Sequence, residues 1–171
     1  MRKFVLAAVL TASVLLPAAS QAGWVVEGSL GKGGQVSSPR AWEQLNFMVA
    51  PGVSILSILR LQLGIVGDFA DTSGSKTNLE LRPMVSIVPP ILPIYGRVIF
   101  AVSDLLGRSG TKREFAYGAA GGVRFGLGPV GIFGEVGVLP RTRDFPSGTG
   151  TGTSSKFVWI IEGRVGAYLE F

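Results

Sequence analysis

The sequence predicts an all-β fold, an eight-stranded antiparallel up-and-down transmembrane β-barrel. Three observations carry that expectation. Apolar and polar residues alternate in eight successive runs, the connections between the runs are by turns long and short, and the last run keeps its alternation to the final residue.

The chain opens with a segment that stands outside the barrel. Met1-Arg-Lys3 is positive, Phe4 to Leu16 is apolar, and Pro17-Ala-Ala-Ser-Gln-Ala22 ends on small residues. That order is the pattern of a secretory signal peptide, residues 1–22, with cleavage expected after Ala22. The apolar run falls short of the roughly 20 residues a membrane-spanning helix needs. Cysteine is absent from the chain, which removes a lipoprotein anchor, disulfides and thiolate metal sites. Residues 23–171 then form one domain, the barrel.

The runs follow in order. In 23–31, Trp24, Val26 and Leu30 face away from Glu27 and Ser29. In 44–55, Leu45, Phe47, Val49, Val53 and Ile55 oppose Asn46, Met48 and Ser54. The run 59–70 sets Leu61, Leu63 and Ile65 against Arg60, Gln62 and Asp68, and 77–88 sets Leu79, Leu81 and Val85 against Glu80, Arg82 and Ser86. In 93–103, Ile94, Val98 and Phe100 alternate with Tyr95, Arg97 and Ala101. Phe115, Tyr117 and Val123 alternate with Ala116, Gly118 and Arg124 in 115–126, and Ile132, Val136 and Val138 with Phe133 and Glu135 in 131–139. The last run, 157–171, sets Phe157, Trp159, Ile161, Val165, Leu169 and Phe171 against Val158, Glu162, Arg164, Tyr168 and Glu170. Pro51 and Pro83 fall inside runs, where each removes a ladder donor, and bulges or shortened strands are expected there. Pro89, Pro90 and Pro93 rule out a helix through the apolar stretch from Val85 to Phe100.

Long connections are expected at 32–43, 71–76, 104–114 and 140–156, and short ones at 56–58, 89–92 and 127–130. Short turns at one rim and longer loops at the other suit a membrane barrel. So does strand length: about 11 residues at roughly 3.3 Å each, tilted by about 40–45°, reach a height of about 26 Å.

Alternation by itself does not say which face is inside. A soluble barrel puts its apolar face inward, and a membrane barrel reverses that. Reversal is favoured here because the polar face carries arginine, glutamate, glycine and alanine, while Lys32, Lys76, Lys112 and Lys156 all fall in expected connections. Trp24, Phe47, Trp159 and Phe171 lie near strand ends, where aromatic girdles sit.

The inward face then holds Arg60, Arg82, Arg97, Arg124 and Arg164 with Glu27, Asp68, Glu80, Glu135, Glu162 and Glu170. Enclosed charges need partners, and guanidinium groups are suited to bridging carboxylates. A charge-compensated network that plugs the lumen is expected, with Glu27–Arg164 and Glu80–Arg97 as candidate pairs. The other reading of the same charges is a wet channel. Nine basic residues (Lys32, Arg40, Lys76, Arg108, Lys112, Arg113, Arg141, Arg143 and Lys156) are assigned to connections, where a positive rim would suit the phosphates of lipopolysaccharide.

Other classes of function find little support. Beyond residue 22 the charge is 14 basic against 11 acidic residues, too mild for a nucleic-acid partner. Histidine is absent, so Ser-His and Asp-His catalytic arrangements are not available and no catalytic residues are assigned. No cofactor or metal is expected. Gly126-Leu-Gly-Pro-Val-Gly131 has the spacing of a dinucleotide fingerprint, but it contains Pro129 and leads into a strand, so it reads as a tight turn.

The signal segment, the eight runs and the terminal pattern Val165, Ala167, Leu169, Phe171 together resemble the small eight-stranded outer-membrane barrels of the OmpX, OmpA-barrel and OmpW type. A monomer is expected, and the resemblance implies residence in the bacterial outer membrane and contact with its lipid. It also implies that Val165, Leu169 and Phe171 form the lipid anchor and the signal read by the barrel assembly machinery. The chain departs from the two-domain OmpA pattern, since no peptidoglycan-binding domain follows the barrel. A structural or surface-interaction role is expected, and the alternative is a narrow pore or transport path for small molecules.

Overall fold

The computed structural model describes residues 22–36, 42–69, 79–103, 115–146 and 153–171. The expected signal peptide lies outside the described residues except for Ala22, as do Arg40, Lys76, Arg108, Lys112 and Arg113. Eight strands form a closed barrel in chain order: β1 (Ala22–Gln35), β2 (Trp42–Ile55), β3 (Leu59–Asp68), β4 (Leu79–Ile87), β5 (Ile94–Val102), β6 (Phe115–Leu127), β7 (Val130–Pro146) and β8 (Thr153–Glu170). Each pairs antiparallel with the next, and β8 returns to β1 from Val25↔Glu170 to Gln35↔Ile160. Beyond that ladder Trp24 and Phe171 exchange both backbone hydrogen bonds, at 3.1 and 2.8 Å. Closure leaves no open edge, which a backbone in hydrocarbon requires.

Burial follows the period-two expectation, with the apolar set outside. Trp24 is 68% exposed and Phe171 73%, whereas Glu27, Arg60, Arg82, Arg97, Glu162 and Arg164 are buried. Phe157 and Trp159 meet edge to face on the outer wall, as do Phe47 and Phe69.

Several expected boundaries are corrected. The assignment of Lys32, Arg141, Arg143 and Lys156 to connections is overturned: Lys32 lies on β1 opposite Leu45, Arg141 pairs with Val158, and Arg143 pairs with Lys156 across β7–β8. β7 and β8 run to 17 and 18 residues, well beyond the about 9–11 that cross a membrane. The backbone ladder continues there past the stretch in which the apolar alternation of the sequence ends. Neither Pro51 nor Pro83 shifts the register. Pro51 pairs with Val26 and Pro83 with Leu63, and each instead leaves a gap in the opposite ladder, to β3 and to β5 respectively. The register shift lies instead in the β1–β2 ladder between Lys32 and Gly34, where β2 carries the extra residue.

The short turns share the rim that holds the start of β1 and the end of β8. Leu56 and Ser57 both adopt positive φ, +54° and +57°, and the Ile58 N–H donates to the Ile55 carbonyl at 3.2 Å. Gly128 takes φ +67° ahead of Pro129, the left-handed conformation that a two-residue hairpin needs.

Candidate functional site: the ion-paired lumen

The lumen is filled from both ends of the inward face. Val88, Tyr95, Phe133 and Tyr168 form an apolar cluster near the short-turn rim. Met48, Val66, Met84, Ile99 and Leu139, with small alanines of β2, β5 and β6, form a second. Tyr168 has space because its neighbours lack side chains: a Cβ on Gly131 would collide with the Tyr168 ring, and one on Gly126 with its hydroxyl. The outer glycines of the GxGxxG spacing thus clear space for a tyrosine, and Gly128 makes the turn.

Charged side chains run between and beside these clusters. Among the described residues six arginines and five glutamates alternate in one unbroken sequence of ion pairs: Arg124, Glu170, Arg60, Glu27, Arg97, Glu135, Arg164, Glu162, Arg82, Glu80, Arg141. Arg97 stands next to its midpoint, Glu135. Its Nη2 lies 2.6 Å from Glu27 and its Nη1 3.0 Å from Glu135, while its Nε donates to Ser86 at 2.9 Å. Tyr95 donates to the Glu135 carboxylate at 2.7 Å, and the Arg97 guanidinium stands 5.3 Å from the Tyr95 ring. Arg60 reaches both Glu27 at 3.4 Å and Glu170.

Toward the long-loop end, Arg164 contacts Glu162, donates to Asn46 at 2.6 Å and Ser29 at 3.1 Å, and lies 3.9 Å from Glu135. Arg82 bridges Glu162 at 2.7 Å and Glu80 at 2.5 Å. Glu80 accepts from Ser103 at 2.9 Å and pairs with Arg141 at 2.7 Å. Such desolvated charges are tolerable only where each has partners, and each arginine inside the sequence touches two carboxylates.

The expected candidate residues are therefore placed on the inward face, but both expected pairs are wrong. Glu27 meets Arg60 and Arg97, not Arg164; Glu80 meets Arg82 and Arg141, not Arg97. Strand stagger is the reason. Glu27 faces Tyr168 in the β1–β8 ladder whereas Arg164 faces Gly31, about 13 Å further along the strand. On β4 it is Ser86 that faces Arg97. Asp68 is half-buried at the end of β3, opposite Asn46. Sequence reasoning misses Arg141 as an inward residue, although the parity of Glu135, Gly137 and Leu139 continues to it.

The cavity bounded by Glu27, Arg60, Tyr95, Arg97, Phe133 and Tyr168 measures about 10 Å³, about the space of a single water. A larger recess of about 980 Å³ lies at the short-turn mouth. Val165, Leu169 and Phe171 all point outward from the last strand.

No protein-family profile and no curated protein sequence matches the chain. Solved structures do. The chain is similar to Neisserial surface protein A (NspA), with 14% identity and a TM-score of 0.56 over 86% of this chain and 97% of that one. It is also similar to outer membrane protein AlkL, solved in lipid bilayers, with 13% identity and a TM-score of 0.55 over 87% and 90%. A major outer membrane protein from Thermus thermophilus aligns with 18% identity and a TM-score of 0.50 over 88% and 99%. With its closed eight-strand wall and outward apolar face, the chain has the fold of the small eight-stranded outer-membrane β-barrels.

Proposed function

We propose that this chain resides in the bacterial outer membrane as a closed barrel with a structural or surface-interaction role, not as an open pore. The observation that carries this reading is the unbroken alternation of arginine and glutamate down the lumen, with about 10 Å³ free in the cavity beside Glu27, Arg60 and Arg97. Moving an ion through would require separating buried pairs, each of which costs several kcal/mol to break. In the same reading the outward faces of Val165, Leu169 and Phe171 anchor the last strand in lipid and present it to the barrel assembly machinery. The basic residues of the long connections meet lipopolysaccharide, and the protein acts as a monomer.

Planar-bilayer recording tests the closed state. Purified, refolded protein is expected to leave the membrane without reproducible unitary currents. Well-defined channels at low voltage would establish the transport reading in its place.

A further inference from the structure

We infer that the short-turn mouth of the barrel is a binding site for an anionic amphiphile, a carboxylate or phosphate headgroup on an apolar body. The recess of about 980 Å³ is walled by Ile91, Leu92 and Leu127 and floored by Arg124, Tyr168 and Glu170. Its size is that of a small-molecule pocket, and such pockets pair apolar walls with a few placed polar groups. Ile91 and Leu127 are each more than 90% exposed, so no described residue covers them.

Charge picks the headgroup. The ion-pair sequence begins and ends on arginine, so six guanidinium groups share five carboxylates. Arg141, at one end, holds Glu80 at 2.7 Å. Arg124, at the other, has only Glu170 at 3.5 Å among the described residues, and the same Glu170 oxygen is already held more closely by Arg60. The Arg124 Nη1 has no hydrogen-bond acceptor among the described residues. Its guanidinium lies 4.6 Å from the Tyr168 ring, which fixes its plane at the recess floor. A guanidinium with an unpartnered Nη1 therefore sits beneath an apolar recess, and Glu170 does not repel an incoming anion strongly because Arg60 also holds it.

The frame is set before any ligand arrives. Pro89, Pro90 and Pro93 stiffen one wall, and the Pro93 carbonyl accepts from the Arg124 N–H at 2.6 Å. The Pro129 carbonyl of the opposite turn accepts from the Glu170 N–H at 2.8 Å. A prearranged recess loses little freedom on binding.

Calorimetric titration of the full-length protein in zwitterionic nanodiscs, corrected against empty discs, tests the site with octanoate, octyl phosphate, octanol and inorganic phosphate. Saturable binding of octanoate and octyl phosphate is expected, with octanol and inorganic phosphate each at least tenfold weaker. Arg124→Gln and Leu127→Glu should each weaken octanoate at least tenfold, while Arg124→Lys stays within a few fold; unboiled migration on gels verifies that each variant is folded. Octanol binding as tightly as octanoate would reduce the recess to an apolar surface and overturn the proposal. Inorganic phosphate matching octyl phosphate, or octanoate binding unchanged in folded Arg124→Gln, would overturn it as well.

Discussion

At Arg97 four inward side chains converge: Glu27, Glu135, Ser86 and Gln62. Removing that guanidinium takes the nearest cationic partner from two buried carboxylates, so Arg97→Leu should lower unfolding stability in detergent by about 3 kcal/mol, measured by urea titration of the folded band. Arg164→Leu should also destabilise, since it strips partners from Glu162, Asn46 and Ser29 together; unchanged unfolding would deny the network a structural role. Residue parity was legible in the sequence, because period two assigns Arg60, Arg97 and Glu162 to one face without knowledge of the fold. Partner identity was not legible. It depends on stagger and on reach across the lumen between strands distant in sequence, as the contact of Arg82 on β4 with Glu162 on β8 illustrates.

Turns and close approaches decide behaviour at the level of single elements. Leu56 and Ser57 hold positive φ without the glycine or asparagine that such a turn prefers. Replacing the pair by Asn-Gly should therefore raise stability by about 1 kcal/mol in the same urea assay, through relief of backbone strain. Gly131 makes the opposite case. A methyl there meets Tyr168, so Gly131→Ala should cost about 1–3 kcal/mol, and pairing it with Tyr168→Leu should restore part of the loss; additive losses would mean the two do not touch. Existence and order of all eight strands could be read from alternation, yet the tops of β1, β7 and β8 could not. There the apolar residues of the sequence give way to polar ones while backbone pairing continues, which is why an apolar run ending at Leu139 leaves Arg141 in a loop.

For the molecule as a whole, closure and orientation matter most. The seam ends on the reciprocal hydrogen bonds of Trp24 and Phe171, whose side chains both point outward. Phe171→Ser keeps the backbone pairing but removes the apolar anchor, so the assembled fraction in membranes should fall while refolding in detergent changes little, as read by heat-dependent gel migration. The sequence could orient the wall only indirectly, from aromatic placement and the residue types on the polar face, because a soluble barrel shows the same period. Everything else depends on that orientation: the apolar side of each strand faces outward and the ionic side is enclosed. Quenching of tryptophan fluorescence measures it directly in a Trp42→Phe protein, where Trp24 and Trp159 remain on the outer wall. Bilayers with brominated acyl chains should quench both strongly and aqueous iodide should have little effect. Strong iodide quenching with no response to brominated lipid would place those side chains in water and contradict the membrane-facing wall.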